Sequence, residues 1–227
     1  DIGAGPGTLA IPLAQKATHV TAVEPADGMC SVMREKMAEY GVENITIVQK
    51  RWEEVDVARD LDPPYDVVVA SFSLGMMDIR DAIEKMIQAS SRYIYLYHFA
   101  GESTWSGMWK ELWPRLHGRN YICGPMSDVL YNVLYQMGIY PNITTFRMKH
   151  DQRHSTLEDA VAELAPQARA DTKEQKAVLR DYLEKAMKWE EGAFVLNGSS
   201  IRVKIWWEKQ EDSSCGYGPQ EDSAARI

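Results

Sequence analysis

Apolar runs alternate with helix-length segments along the first hundred residues. The runs His19–Glu24, Ile45–Val48, Asp66–Phe72 and Arg92–Phe99 are rich in the β-branched and aromatic residues that favour strands. Strands that are apolar throughout and separated by helices form parallel sheets covered on both faces. The pattern therefore predicts a doubly wound, mostly parallel α/β domain. The helices predicted in this half are Leu9–Lys16, Ala26–Tyr40 and Arg80–Ala89.

The second half of the chain has a different pattern. Thr104–His117, which is rich in tryptophan, and Ser127–Met137 are predicted as helices. Asn142–Met148 and Ile201–Trp207 alternate apolar and polar residues as strands do. We expect these two late strands to pair antiparallel at one edge of the sheet.

A segment of helical composition separates the two late strands. We predict a helical insert or lid over residues 150–198, with helices at about Thr156–Ala165 and Thr172–Glu190. The whole domain is expected to span residues 1–208, and the polar, aperiodic residues 211–227 to form a flexible tail. A glycine-rich turn at the very start normally follows a strand, so an N-terminal part of the domain is expected to be missing.

Composition narrows the possible functions. The 227 residues include 25 Lys and Arg against 33 Asp and Glu, a formal charge of −8, which disfavours broad binding to a nucleic-acid backbone. No apolar run approaches the ~18 residues of a membrane span, so no membrane partner is expected. The cysteines at 30, 123 and 215 are odd in number and widely spaced. We therefore expect neither disulfides nor a metal site, and a cytoplasmic location.

The strongest chemical pattern is the glycine turn at Asp1–Gly7, followed by Glu24. Glycines at alternate positions allow a sharp turn and admit a ligand against bare main chain. Glu24 ends the next strand, seventeen residues after Gly7, where a carboxylate can bind two ribose hydroxyls. A dinucleotide-binding turn would need glycine in place of Thr8, so the pattern favours a ligand without a pyrophosphate. The alternative is a turn that serves only packing.

With these residues the sequence resembles the class I, seven-strand methyltransferases that use S-adenosylmethionine. The resemblance rests on Asp1–Gly7, Val23–Pro25 with Met29, Val48–Glu53 and Tyr65–Ser71. Motifs cover roughly residues 1–100, and they are specific for the cofactor rather than for the methyl acceptor.

The resemblance implies a role for each residue of the turn. Asp1 would orient the ammonium group of S-adenosylmethionine, and Gly3, Gly5 and Gly7 would form the turn beside its methionine part. Glu24 would bind the ribose hydroxyls.

Further cofactor contacts are implied after the later strands. Pro25 and Met29 would pack near the adenosine, and Ser71 would lie near the cofactor's amino group and the channel for methyl transfer. Arg51, Trp52 and Glu53 would border the adenine.

The segment Arg51–Glu53 departs from the family pattern. Many members have an acidic residue followed by a small one where Arg51 and Trp52 stand. Glu53 is the substitute candidate for the adenine hydrogen bond. Trp52 either stacks on the base or packs inside the protein, and the sequence leaves both open.

Asp62-Pro63-Pro64-Tyr65 spells the tetrapeptide of methyltransferases that act on the amino groups of bases or glutamine. Those enzymes carry it at the carboxyl end of a strand, whereas here the strand follows it. The two prolines are therefore interpreted as turn residues, which disfavours a nucleic-acid substrate.

The acceptor should bind beyond the carboxyl ends of the strands, as ligands of open α/β sheets do. His98 lies at such an end, where it could take a proton from the acceptor or serve as a hydrogen-bonded structural residue. We predict methyl transfer from S-adenosylmethionine to a small-molecule acceptor, with His98 as candidate base. The alternatives are a protein- or RNA-directed methyltransferase and a silent domain that binds the cofactor or a partner.

Overall fold

One twisted sheet organises the protein. The computed structural model describes residues 1–209, so the predicted tail at 211–227 lies outside the described residues. Six strands form the main sheet, and each overlaps a strand that the hydrophobic pattern predicts. They are β1 (Val20–Val23), β2 (Ile45–Val48), β3 (Tyr65–Ser71), β4 (Ser90–Phe99), β5 (Asn142–Lys149) and β9 (Ser199–Glu208).

Ile2 joins the two parts of this sheet. It forms parallel bridges to Val23 of β1 and to Ala70 of β3, so the spatial order is β2-β1-Ile2-β3-β4-β9-β5. The pairs β1–β2 and β3–β4 are parallel, and β9 runs antiparallel to both of its neighbours, β4 and β5. The prediction of a mostly parallel sheet with a late antiparallel pair is confirmed.

Several helices begin or end at capping residues. Asp78 accepts a hydrogen bond from the main-chain nitrogen of Asp81, and Ser103 forms a capping box with Ser106. Gly41 ends its helix in the left-handed conformation at φ 63°. The helices are α1 (Ala10–Ala14), α2 (Asp27–Tyr40), α3 (Val57–Asp60), α4 (Ile79–Ala89), α5 (Thr104–His117), α6 (Ser127–Gln136), α7 (Leu157–Ala168) and α8 (Lys173–Ala186).

Buried side chains lie on both faces of β1. Val20 and Ala22 pack with α1 and α2, whereas Val23 belongs to the cluster that contains Ile83 and Leu134, from α4 and α6. The face of the sheet covered by α1 and α2 is called the α1 side, and the face covered by α4 and α6 the α4 side. Alternate residues of a strand point to opposite faces, and residues paired in register point to the same face. The register therefore assigns the side chains of the other strands to one side or the other.

The predicted helical insert over 150–198 needs a correction. It contains α7 and α8 but also a three-stranded antiparallel sheet, in the order β6-β8-β7, with β7 replacing the last turn of the predicted helix Thr172–Glu190. Leu164, Leu179 and Leu183 of the insert pack with α5 in a separate core. The strands are β6 (Gln152–His154), β7 (Lys188–Glu190) and β8 (Ala193–Leu196).

The tryptophans of α5 belong to the core of the insert. Trp105, Trp109 and Trp113 contact one another edge to face, with ring centroids 5.2 and 6.2 Å apart. Their spacing along the helix therefore reflects packing. Within residues 1–209 no helix has both the length and the apolar character needed to cross a membrane.

Candidate functional site

The turn after Ile2 has the geometry of a main-chain cradle. The nitrogen of Gly3 donates to the Val23 carbonyl at 2.8 Å, which holds the turn against the end of β1. Gly3 and Gly5 have φ values of 67° and 56°, a region that disfavours residues with a Cβ. A Cβ on Gly3 would lie 2.3 Å from the Cβ of Ser73, whereas one on Gly5 would meet open space. The turn is therefore tightly packed at Gly3 and open at Gly5.

Gly7, another predicted cofactor contact, packs against the interior of the protein. A Cβ there would come within 2.9 Å of both Ile11 and Met33, which belong to α1 and α2. With φ at 80°, the position requires glycine for both its conformation and its packing. The structural reason for this glycine is that the turn comes close to side chains of both α1 and α2.

Glu24 lies directly against the turn. Its Oε2 accepts a hydrogen bond from the nitrogen of Gly5 at 2.8 Å, and its Oε1 accepts one from the nitrogen of Ala26 at 2.9 Å. The residue is only 7% exposed. Each carboxylate oxygen keeps a further acceptor position, so the two oxygens can still receive hydrogen bonds from two adjacent hydroxyls.

Cys30 holds the main chain at the carboxyl end of β1, a role that the sequence did not suggest. Its Sγ donates to the main-chain carbonyl of Glu24 at 3.3 Å, and the side chain is fully buried. Burial raises the pKa of the Cys30 thiol, so it remains the protonated donor that this hydrogen bond needs.

Asp1 has an unsatisfied buried oxygen. Its main-chain nitrogen pairs with the Thr21 carbonyl at 2.8 Å, but its Oδ2 has no hydrogen-bond partner among residues 1–209. A buried carboxylate oxygen without a donor is costly, and an ammonium group would satisfy it. This oxygen fits the role that the sequence analysis gives to Asp1.

The 3-10 turn Trp52–Glu54 follows β2. Trp52 is 4% exposed, and its indole nitrogen donates to the Ala82 carbonyl at 3.0 Å, so packing and not base stacking explains this residue. Lys85 Nζ contacts the main-chain carbonyls of Trp52 and Glu53 at 2.6 and 2.9 Å. The Trp52 indole and the Lys85 ammonium group therefore hold the main chain of the turn, while Arg51 and Glu53 are exposed.

Two other predicted contacts lie on the surface beside Glu24. Pro25 is exposed, and Met29, in the first turn of α2, is 47% exposed. Both are therefore open to a ligand held by Glu24.

The end of β3 meets the glycine turn. Ser73 Oγ donates to the Ile2 carbonyl at 2.6 Å, and the nitrogen of Phe72 donates to the Tyr97 carbonyl at 3.0 Å. Ser71 is half-buried at the last position of β3, on the α1 side of the sheet. Phe72, which the sequence analysis missed, has a φ of 56°, an uncommon value for a residue with a bulky side chain.

His98 lies on the other face of the same edge. It pairs with Val203 in the β4–β9 register, which places it on the α4 side of the sheet. Its Nε2 lies 3.0 Å from the carbonyl of Pro125, which can only accept, so a neutral His98 carries its proton there. Its Nδ1 is buried and has no partner among residues 1–209. An unprotonated Nδ1 can accept a proton.

Asp62–Tyr65 lies at the opposite, amino end of β3. The hydroxyl of Tyr65 donates to Thr21 Oγ1 at 3.0 Å and accepts from the nitrogen of Asp62 at 3.0 Å. The tetrapeptide is therefore a structural turn at the amino end of β3, as its position before the strand predicts.

The polar residues of the candidate site follow the carboxyl edge of the sheet. Glu24 offers acceptors for a diol, Asp1 an acceptor for an ammonium group, and Gly5 an open main chain. Farther along the edge, Ser73 follows β3, and His98 lies near the end of β4 on the α4 side of the sheet. This arrangement suits an adenosyl amino acid lying from β1 toward β3, with a second ligand beyond it.

Comparison with protein families gives one match to this region. Residues 1–93 match the model of the methyltransferase domain family Methyltransf_25. This range contains the glycine turn, Glu24, Glu53 and Ser71, and it ends within β4.

Comparison with individual proteins extends over most of the chain. An uncharacterised protein of Haemophilus influenzae is 28% identical over 213 residues, which cover 91% of this chain and 74% of that protein. The YcgJ protein of Bacillus subtilis has a TM-score of 0.60 at 15% identity, covering 93% of this chain and 91% of that one. Precorrin-6y C5,15-methyltransferase of Geobacter metallireducens has a TM-score of 0.52 at 12% identity, covering 92% and 78%. These structures share the fold.

Proposed function

Because residues 1–93 match a methyltransferase domain family and the chain has the class I methyltransferase fold, we propose that it methylates a small molecule. The cofactor of this family is S-adenosylmethionine. When bound, it supplies a methyl group on a positively charged sulfur, which passes to a nucleophilic atom and leaves S-adenosylhomocysteine. The observation that carries the proposal is the contact between the Glu24 carboxylate and the Gly5 nitrogen, at 2.8 Å.

The cofactor side of the site is formed by main chain and two carboxylates. Glu24 receives the ribose hydroxyls, and its hydrogen bonds to Gly5 and Ala26 hold it in the correct orientation beforehand. Asp1 receives the ammonium group on the oxygen that has no partner among the described residues. Charged groups that are already fixed lose little conformational entropy when the ligand binds.

The adenine is assigned to the turn after β2. Glu53 is exposed there on a main chain that Lys85 fixes, so its carboxylate can accept a hydrogen bond from the exocyclic amine. Pro25 and Met29 offer apolar surface for the other side of the base. Trp52 acts as a positioning residue because its buried indole anchors the turn.

His98 is assigned as the base for acceptors that must lose a proton. The Pro125 carbonyl keeps the proton of the neutral ring on Nε2, which leaves Nδ1 as the acceptor. Much of the rate of methyl transfer comes from aligning the nucleophile with the methyl group, so an acidic acceptor needs no base at all. The demand on His98 therefore depends on the pKa of the acceptor.

A small-molecule acceptor fits the charge of the chain and the character of the edge. The net charge is −8, and the ring of Phe99 lies 6.1 Å from that of His98, between centroids. The relative named for precorrin-6y is one case of this fold acting on a small molecule.

Transfer of labelled methyl groups tests the proposal. The protein is incubated with S-adenosylmethionine labelled in the methyl group and with separated small-molecule, RNA and protein fractions of a cell extract. We expect label in the small-molecule fraction and S-adenosylhomocysteine in equal amount, with loss of both in Glu24→Ala. Tyr65→Phe serves as the matched control because Tyr65 lies at the amino end of β3, whereas the candidate site lies at the carboxyl edge.

The other outcomes identify the alternatives. Label in the RNA or protein fraction would contradict a small acceptor. Binding of S-adenosylhomocysteine without transfer to any fraction would indicate a silent binding domain. A protein that binds no cofactor would contradict the assignment of the glycine turn.

A further inference from the structure

We propose that Arg202 binds an anionic group of the methyl acceptor, a carboxylate or a phosphate. The inference rests on the proposed function and names the class of its substrate. Arg202 lies in β9 opposite Phe99 of β4, at the carboxyl edge of the parallel strands and on the α1 side of the sheet. The sequence analysis did not single it out.

Two aromatic rings lie next to each other on one side of the guanidinium. Its carbon lies 4.7 Å from the centre of the Phe72 ring and 6.0 Å from that of Phe99. The two rings lie 5.0 Å apart. Cation–π contacts of this kind attract the guanidinium without using its N–H groups, which remain available for hydrogen bonds.

The remaining contacts of Arg202 leave its outer edge unused. Its Nε donates to Ser200 Oγ at 3.1 Å, which fixes the plane of the group. Among residues 1–209, neither terminal nitrogen has a hydrogen-bond partner, and no carboxylate oxygen lies within the 4.0 Å of an ion pair. Two parallel N–H groups on a fixed guanidinium match the two oxygens of a carboxylate or phosphate.

Half of the twelve arginines among residues 1–209 form ion pairs with aspartate or glutamate. Arg202 belongs to the other half, and two rings and a hydroxyl hold its side chain in place instead. The paired residues are Arg59, Arg80, Arg92, Arg115, Arg153 and Arg180. A fixed and unneutralised charge is a requirement for binding an anionic ligand.

The backbone at Phe72 adds a second, independent observation. A non-glycine residue at φ 56° is strained, and such residues cluster at ligand sites. The conformation brings the Phe72 ring over Arg202, while its neighbour Ser73 contacts Ile2 and Gly3. One strained turn therefore connects the cofactor cradle with the arginine.

The position along the sheet separates Arg202 from the cofactor. The turn at Gly3 follows Ile2, and β9 lies three strand positions away, about 14 Å at the usual strand spacing. The proposed cofactor extends from Glu24 on β1 toward β3. Arg202 lies farther in the same direction, where the acceptor must bind.

Anion titrations of wild type and Arg202→Met test the inference. The probes are benzoate, its uncharged analogue benzamide, and inorganic phosphate, observed by NMR with and without S-adenosylhomocysteine. We expect wild type to bind benzoate or phosphate at least about 10-fold more tightly than benzamide, as a paired ion suggests, and Arg202→Met to remove this preference. Comparing the affinities for benzoate and for phosphate shows which anion the site prefers.

Two control variants distinguish the loss of the charge at Arg202 from a general loss of charge or of the fold. Arg147→Met removes the same charge from an exposed position on β5, and its anion affinity should stay within about 2-fold of wild type because exposed charges are screened. Arg202→Lys keeps the charge without the planar edge and should restore only part of the affinity, which keeps the test valid if Arg202→Met does not fold.

Several results would overturn the inference. Equal anion affinity in wild type and Arg202→Met would do so, as would no preference for anions in wild type. A parallel loss of S-adenosylhomocysteine affinity in Arg202→Met would assign the arginine to the cofactor's own carboxylate. If wild type binds no S-adenosylhomocysteine, the proposed function fails, while the titration without it still reports on Arg202.

Discussion

The two sides of the candidate site are built differently. On the cofactor side, Glu24 is almost completely buried and both of its oxygens accept main-chain hydrogen bonds. On the acceptor side, Arg202 has one hydrogen bond and two aromatic contacts, and His98 has a buried nitrogen with no partner among residues 1–209. On the first side Glu24 is fixed before any ligand binds, although Asp1 Oδ2 has no partner among residues 1–209. On the second side the terminal nitrogens of Arg202 and Nδ1 of His98 have no partner among these residues, so a ligand must complete it.

This difference agrees with the chemistry that each side must recognise. The proposed cofactor is one fixed molecule, so its cradle can be made of main chain and two carboxylates, those of Glu24 and Asp1. An acceptor is particular to each protein, so side chains far apart in the sequence must select it. Changes on the cofactor side should therefore affect stability and cofactor affinity, and changes on the acceptor side should affect turnover.

The largest effect is expected from Gly3→Ala. The added Cβ would lie 2.3 Å from that of Ser73 at a φ of 67°, so strain and overlap should together destabilise the fold by roughly 2–4 kcal/mol. Denaturant unfolding measures this loss. Gly5→Ala, where the added Cβ meets open space, should cost only about 1 kcal/mol. Equal losses in the two variants would contradict the tight packing of the turn at Gly3.

On the acceptor side, His98→Ala should lower kcat by about 100-fold for an acceptor that must lose a proton. The affinity for S-adenosylhomocysteine should not change, since His98 lies on β4 and not at the cradle. An unchanged kcat in His98→Ala would leave His98 as a structural residue.

Glu24→Ala should weaken binding of S-adenosylhomocysteine by about 1.5–3 kcal/mol, because charge-assisted hydrogen bonds to the ribose are lost. Isothermal titration calorimetry measures the difference. Glu24→Gln, which keeps one acceptor oxygen, should give an intermediate value. If the affinity were unchanged in a folded variant, Glu24 would not be part of the site.

The smallest effect is expected from Tyr65→Phe, at the amino end of β3. Loss of the hydroxyl removes the hydrogen bonds to Thr21 and Asp62, at a cost of about 1 kcal/mol in the free energy of unfolding. Methyl transfer should be unchanged. A near-complete loss of activity would instead support a catalytic role for Asp62–Tyr65.

Much of the parallel part of the sheet follows from local pattern. The strands around Glu24 are β-branched runs separated by helices, and the glycine turn lies at the distance that brings it to Glu24. In such cases residues close in sequence determine the structure, so the pattern alone is informative.

The sheet of the insert could not be predicted in the same way. Gln152–His154 and Lys188–Glu190 are short and polar, and they form strands only because each pairs with β8. The burial of Trp52 likewise depends on α4, which comes much later in the chain. These features are decided by tertiary contacts and not by local propensity.

Arg202 shows the same limit at the site. In the sequence it is one polar residue of an alternating strand, and nothing near it indicates a ligand. Its setting arises because β9 pairs with β4 and the turn after β3 brings Phe72 over it. Only the fold reveals that the arginine has aromatic neighbours and an unused edge.

A crystal structure with S-adenosylhomocysteine bound would show whether Glu24 and the glycine turn hold the cofactor. We expect the ribose hydroxyls to lie within hydrogen-bond distance of Glu24 and the homocysteine part to follow Gly3 and Gly5. The sulfur should face the edge that carries His98 and Arg202. A ligand bound elsewhere, or one whose ribose does not reach Glu24, would contradict it.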